Sequence, residues 1–260
     1  MTLFKNKLKA SLLHLALSIT LVSLVIASVI YFWYPTEFLG ISNFKGIALL
    51  IISIDLVLGP ILTFVVYAPK KKGLKFDIAF IGLAQLSALA YGVHTLQQGH
   101  PLFIAYNHGG FNLVQVNEVT DGKAKYDEFH VSKLASPQLA FAKMPDDPEL
   151  QSEIIVGVDL KGDPDIDKRQ EYLEPVKNHL STILKSSLDA VKLFDDEHLT
   201  PSSKKFLDKY GDKKDQFAYL PLKGISGDAI IVLDKKTAEM IGTINADPWK
   251  FAKKTRLPLN

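Results

Sequence analysis

Three apolar runs, each long enough to cross a lipid bilayer, dominate the first hundred residues of this 260-residue chain. They are residues 12–34 (LLHLALSITLVSLVIASVIYFWY), 47–67 (IALLIISIDLVLGPILTFVVY) and 76–96 (FDIAFIGLAQLSALAYGVHTL). At a helical rise of about 1.5 Å per residue, each spans the roughly 30 Å of a hydrocarbon core. The first run exceeds the apolar core of a secretory leader, and no small-residue cleavage site follows Tyr31–Tyr34, so it reads as a span.

Charge divides the chain at the same place. Residues 1–99 carry eight lysines against Glu37, Asp55 and Asp77, a balance of +5. Residues 100–260 carry 22 basic and 25 acidic side chains, a balance of −3. The chain therefore divides into a membrane domain, 1–98, and a domain at 99–260. Lys5, Lys7 and Lys9 precede the first span, and Lys70, Lys71, Lys72 and Lys75 separate the second from the third. The positive-inside rule then places the N-terminus and the lysine-rich loop in the cytoplasm. Three crossings leave the C-terminal domain outside, in the periplasm of a bacterium with an inner membrane. Tyr31, Trp33 and Tyr34 form an interfacial belt at the outer end of the first span, and Tyr67 marks the inner end of the second.

Composition removes several function classes. The only arginines are Arg169 and Arg256, and the C-terminal part is mildly acidic, which argues against nucleic acid as a partner. With no cysteine, disulfides, thiolate catalysis and cysteine-held zinc are excluded. The partner the composition does require is the lipid bilayer.

Polar residues within the spans carry the functional signal. Asp55 lies near the middle of the second run, where an ionised carboxylate is costly unless paired or hydrated. By depth its expected neighbours are Ser23 on the first span and Gln85, Ser87 or Tyr91 on the third. Pro60 removes a backbone donor and predicts a kink one turn below Asp55; Gly59 beside it permits close approach. Ala84, Ala88 and Gly92 form a small-residue stripe on the third span, against which another helix packs. Three readings of Asp55 stay open at this stage. It is a structural residue joining the three helices, a contact for the transmembrane helix of a client protein, or a catalytic or proton-carrying group.

The C-terminal part predicts an α+β domain with β-hairpins at its start and end. Leu102–Tyr106 and Phe111–Val119 flank the turn Asn107-His108-Gly109-Gly110. Residues 127–143 read as a mixed, helical stretch broken by Pro137, and 153–158 (EIIVGV) as a short strand. Apolar residues from Val176 to Val191 at helical spacing predict an amphipathic helix over about 168–188, with Asp167 and Gln170 as its capping box and Pro175 as an alternative first turn. A second helix starts at Thr200-Pro201, buries Phe206, Leu207 and Tyr210, and ends at Gly211. Ala229–Leu233 and Glu239–Ile244 close the chain as a hairpin around Asp234–Thr237.

Catalytic motifs are sparse. Gly224-Ile225-Ser226-Gly227-Asp228 has its second glycine one position early for a nucleophile elbow. His108-Gly109-Gly110 reads as a turn rather than an oxyanion loop. Asp163, Asp165 and Asp167, with Glu174 at the twelfth position, carry the oxygen-ligand spacing of a calcium loop. Lys168 stands where such a loop needs glycine, so the competing reading is an acidic turn. No cofactor is expected, and no enzyme activity.

One resemblance emerges from these residues. Asp55-Leu-Val-Leu-Gly-Pro60-Ile-Leu-Thr63, Pro69-Lys-Lys-Lys72, Phe76-Asp77, Gln85-Leu and Leu89-Ala-Tyr-Gly92 form a string similar to the type IV pilin accessory protein family, the group written TfpX or TfpZ. Trp33-Tyr34-Pro35 and Tyr106 before the glycine turn to Phe111 also resemble it. The likeness covers roughly residues 1–120 and is looser beyond. It implies an inner-membrane accessory factor for type IV pilin, modulating pilin stability or pilus assembly, with a single-span pilin as its protein partner in membrane and periplasm. On this reading Asp55, Gly59, Pro60, Ala84, Gln85, Ala88, Tyr91 and Gly92 meet the client helix. The alternative is a membrane-anchored periplasmic sensor or ligand-binding protein acting through a membrane partner.

Overall fold

The computed structural model describes residues 2–130 and 137–252. The chain forms two compact units: Met1–Thr36 with Asn43–His100, and Glu37–Ser42 with Pro101–Asn260.

The first unit is three long helices, α1 (Thr2–Trp33), α2 (Phe44–Val66) and α3 (Leu74–Gln98), each apolar and long enough to cross a membrane. They extend beyond the apolar runs because hydropathy marks only the part that suits hydrocarbon, while helical hydrogen bonding continues through the flanking polar turns. Most of their apolar surface points outward: Leu13, Leu17, Leu24, Leu49, Leu83 and Tyr91 are all exposed in the isolated chain. That is the inverse of a water-soluble bundle and suits a lipid solvent. At the Trp33 end, the buried Tyr34 donates from its hydroxyl to the Leu96 carbonyl at 2.9 Å, tying the end of α1 to the end of α3.

The second unit is built on a seven-stranded mixed sheet in the order β4-β3-β1-β2-β5-β6-β7. The strands are β1 (Pro101–Asn107), β2 (Gly110–Gln115), β3 (Gln138–Ala142), β4 (Leu173–Pro175), β5 (Phe217–Lys223), β6 (Asp228–Asp234) and β7 (Met240–Ile244). β1 and β2 form the predicted hairpin, its two-residue turn His108-Gly109 held at φ 49° and 88°. β2 ends at Gln115, earlier than Val119, because Val116–Glu118 turn into a 3₁₀ segment. There the Glu118 carboxylate accepts from the Gln115 N–H at 2.9 Å. β6 and β7 are the closing hairpin.

Both faces of the sheet are covered, which is why β5 and β6 read as nearly unbroken apolar runs. One face presents Ile104, Phe111, Leu220, Ile231 and Leu233 to Val176 and Ile183. The other presents Phe103, Ala105 and Val114 to Phe129, Ile154 and Leu173, and Tyr219, Ile230 and Val232 to Leu193, Phe206 and Phe251.

The middle of the domain corrects three sequence expectations. Residues 153–158 are not a strand; they fall within α4 (Pro148–Val156) and the π-helical turn Gly157–Lys161. The start signal is Asp147-Pro148, in which the aspartate accepts from the Glu149 N–H at 2.9 Å. The helix expected over 168–188 is broken up: 3₁₀ turns, then β4, then Val176–His179 and the short α5 (Leu180–Leu184). Pro175 ends the strand, and helical backbone starts only after it. Asp167 does not cap this segment, because its carboxylate points to the β1–β2 hairpin instead. Of the stretch 127–143, Asp127–Phe129 is a 3₁₀ turn and Gln138–Ala142 is β3, while 131–136 lie outside the described residues. After the four-residue α6 (Ala190–Leu193), α7 (Pro201–Tyr210) starts at Thr200 as expected. The Thr200 hydroxyl accepts from the Ser203 N–H at 3.1 Å, and Phe206 is buried.

Residues 37–42, between α1 and α2, pack into this sheet domain. Phe38 (3 % exposed) and Ile41 (5 %) join its core. The backbone N–H groups of Ile225 and Ser226 both donate to the Ile41 carbonyl, at 2.7 and 2.9 Å. Gly224 is required there, since a Cβ at that position would stand 2.6 Å from the Ile41 side chain. The motif resembling a nucleophile elbow is thus a turn that grips a loop. Phe38→Ala should destabilise the sheet domain by about 3–5 kcal/mol, read by chemical unfolding of the intact protein in detergent. Tyr31→Ala, on the exposed face of α1, should change it by less than about 0.5 kcal/mol.

Candidate functional site

The polar residues of the three helices converge in one region. In α2 the α-helical ladder gives way to a π-helical turn over Ser53–Leu58, where the Gly59 N–H donates to the Ile54 carbonyl five residues back. Pro60 follows directly. The missing proline donor is thus met by a widened turn, and Asp55 lies within it.

Asp55 is 5 % exposed. Gln85 of α3 donates from Nε2 to Asp55 Oδ1 at 3.1 Å and to the Asp55 carbonyl at 3.4 Å. Gly59 makes this approach possible, because a Cβ there would run into the Gln85 amide group. Of the neighbours expected by depth, only Gln85 reaches Asp55; Ser23, Ser87 and Tyr91 are exposed. Two buried acceptors, Asp55 Oδ2 and Gln85 Oε1, have no hydrogen-bond partner among the described residues.

α1 brings a polar stripe that the sequence reading missed. Lys7 donates to the Val65 carbonyl at 3.0 Å, Ser11 to the Pro60 carbonyl at 2.9 Å, and His14 Nδ1 lies 2.6 Å from Thr63 Oγ1. Positions 7, 11 and 14 share one helical face, so i, i+4, i+7 spacing leading into the first apolar run was the available signal. His14 and Thr63, with Asp55 and Gln85, edge a cavity of about 470 Å³ whose lining runs along α1 from Ala10 to Val22 and along α3 from Ile78 to Leu89.

The small-residue stripe of α3 is divided between tasks. Gly92 is buried against Ile51 of α2, and a Cβ there would come within 2.6 Å of that side chain. Ala88 is half-buried, while Ala84 and Tyr91 are exposed. Asp55, Gly59, Pro60 and Gln85 therefore form one cluster. Gly92 serves helix packing, and Ala84 and Tyr91 face outward.

In the sheet domain, Asp163, Asp165, Asp167 and Glu174 do not form a common ligand group among the described residues. Asp165 Oδ2 accepts from Asn107 Nδ2 at 2.8 Å and lies 3.1 Å from His108 Nε2; its Oδ1 accepts from the Ile166 N–H at 2.7 Å. Asp167 Oδ2 accepts from Asn112 at 2.6 Å. Glu174 accepts from Lys125 at 2.8 Å and lies 2.7 Å from His179 Nε2. Asp165 and Asp167 fasten this loop to the β1–β2 hairpin. The side chains whose ligand atoms do gather are Asp195, Glu197 and His198, a surface group with both acids exposed.

Comparison with known proteins bears on this architecture. The chain is 31% identical over 114 residues to the fimbrial assembly protein of serogroups C1 and C2 from Dichelobacter nodosus, covering 43% of this chain and 86% of that relative. This chain belongs to the fimbrial assembly protein family. The serogroup I fimbrial assembly protein of the same organism is 30% identical over 122 residues, 46% of each chain. The serogroup E1 protein is 31% identical over 114 residues, 43% of this chain and 44% of its own. The matched part of the chain thus spans less than half the length of those two relatives. No family model matches the chain, and no solved structure matches it.

The loop that carries Asp165 and Asp167 has a testable electrostatic consequence. Burial pushes the Asp167 carboxyl above its ordinary range; the Asn112 hydrogen bond opposes this, and neighbouring Asp165 adds to it. A carboxyl with a raised folded pKa contributes stability at low pH and loses it as pH rises through that pKa. Relative to wild type, Asp167→Asn should become the more stable form as pH climbs from about 4 toward neutrality. Thermal unfolding of both proteins across that range checks the difference.

Proposed function

We propose that this protein is a non-enzymatic, inner-membrane accessory factor for type IV pilin, acting in the manner of a chaperone during pilus assembly and allied to the TfpX/TfpZ group. The observation that carries the reading is the Asp55–Gln85 pair beneath a helix-length groove, in a chain of the fimbrial assembly protein family. Such a site suits binding a client's hydrophobic helix rather than catalysis, since it offers hydrogen-bond acceptors in hydrocarbon and a long apolar lining.

Orientation follows from the lysine distribution: a cytoplasmic N-terminus, a cytoplasmic Lys70–Lys75 loop and a periplasmic sheet domain. The chain's own connectivity supports putting both parts of the sheet domain on the side opposite the N-terminus. Residues 37–42 belong to the same unit as the chain after Pro101, and an odd number of crossings separates each of them from the N-terminus. In that arrangement the periplasmic domain meets the pilin head while the spans hold its helix.

The test is made in cells that carry the neighbouring pilin gene. Deleting this protein should change both pilin abundance and surface fibres, and full-length Asp55→Leu should reproduce that defect at normal membrane level. Normal fibres with leucine at position 55 would remove the intramembrane part of the reading. Unchanged pilin level and piliation in the deletion would remove the rest.

A further inference from the structure

The groove contains a chemical demand that its own chain does not meet. Asp55 is 95 % removed from solvent, yet only one of its carboxylate oxygens is bonded, and only by the neutral Gln85 amide. Gln85 Oε1 beside it is also unpartnered. Both orphan atoms are acceptors. Asp55 takes no part in the ion pairs of the described residues. His14, which edges the same cavity, is engaged with Thr63. Protonating Asp55 would turn Oδ2 into a donor for Gln85 Oε1; while Asp55 stays ionised, both oxygens need a donor from outside the chain. A buried charge with an unmatched oxygen next to an unmatched amide oxygen calls for a donor that carries positive charge.

Length narrows the occupant further. The lining on α1 runs from Ala10 to Val22, about 18 Å at the helical rise, or some three turns. An acyl chain matches that length, but it has no hydrogen to donate and leaves both acceptors bare. A helix matches the length and carries side chains or a terminus able to donate.

We propose that the groove between α1 and α3 takes a transmembrane helix of a pilus subunit that brings a positively charged nitrogen to Asp55 Oδ2 and Gln85 Oε1. This rests on the pilin-binding reading above and adds to it the sign of the charge and the atoms that receive it. The contact fixes the client's depth in the bilayer, because charge pairing in hydrocarbon is strong at one position and absent one turn away.

The experiment uses the full-length protein in native membranes together with the host's major pilin. A photo-crosslinking residue is placed at Leu13 or Leu86, both exposed and both lining the groove, or at Val57, exposed and outside the lining. Pilin adducts are expected from positions 13 and 86 and not from 57. Asp55→Asn keeps the volume and a hydrogen bond to Gln85 but removes the charge, and should lower those adducts at least about tenfold at equal membrane abundance. The exchanged pair, Asp55→Asn with Gln85→Glu, restores a carboxylate on the neighbouring helix and should recover them; Asp55→Glu should retain them. Adducts in Asp55→Asn equal to wild type would overturn this inference and leave the pilin-binding reading standing. So would an exchanged pair that accumulates normally but stays defective. Adducts to a second copy of this chain from positions 13 and 86, or pilin adducts formed only from the sheet domain, would overturn the groove as the client's seat. No pilin adduct from any position would instead sink the reading on which the inference rests.

Discussion

A carboxylate in hydrocarbon must find a donor, and the geometry around Asp55 follows from that requirement. Gln85 supplies the N–H, Gly59 leaves room for the amide to approach, and the π-helical turn sets Asp55 ahead of a proline that cannot donate. In lipid there is little hydrophobic force between helices, so packing and a few hydrogen bonds decide which helices associate. α2 is joined to α3 by Asp55–Gln85 and by the Gly92–Ile51 contact, and to α1 by the bonds of Lys7, Ser11 and His14. Each of these interactions is small. Together they hold α1 and α3 against α2 and leave a groove between them.

The sheet domain depends on a different constraint. Part of its core, Phe38 and Ile41, comes from the short connection between α1 and α2. The sheet domain is therefore assembled from two stretches of sequence, 37–42 and the chain after Pro101, with α2 and α3 between them in sequence. The chain thus passes between its two units three times, after Thr36, after Ser42 and after His100.

How much of this was legible in the sequence depended on the length scale of the signal. Three helices were plain, because a run of twenty apolar residues has few other fates. The Asp55 to Gln85 pairing was readable from depth, but its selection over Ser87 and Tyr91 needed the helix rotation that Gly59 and Gly92 impose. The polar stripe at Lys7, Ser11 and His14 was present in the sequence, hidden by the apolar residues around it. The hairpins at both ends of the sheet domain were legible because turn and alternation agree locally. β3, β4 and β5 were missed: their pairings are long-range, and Pro221 interrupts the run that forms β5. It is tolerated there because β2 pairs β5 only at Leu222 and Lys223. Residues 153–158 were misread because β-branched residues outweighed the Asp147-Pro148 start signal, the same kind of signal that correctly placed the helix after Thr200.

The Asp55–Gln85 bond is a specific coupling between two membrane helices. A double-mutant cycle measures it most directly, with Asp55→Leu, Gln85→Leu and the double variant unfolded in a bilayer mimic. The account predicts non-additivity, with a coupling energy of about 0.6–2 kcal/mol and a double variant less destabilised than the single changes added together. Strictly additive losses would show that the two side chains do not act on each other, and would contradict the account.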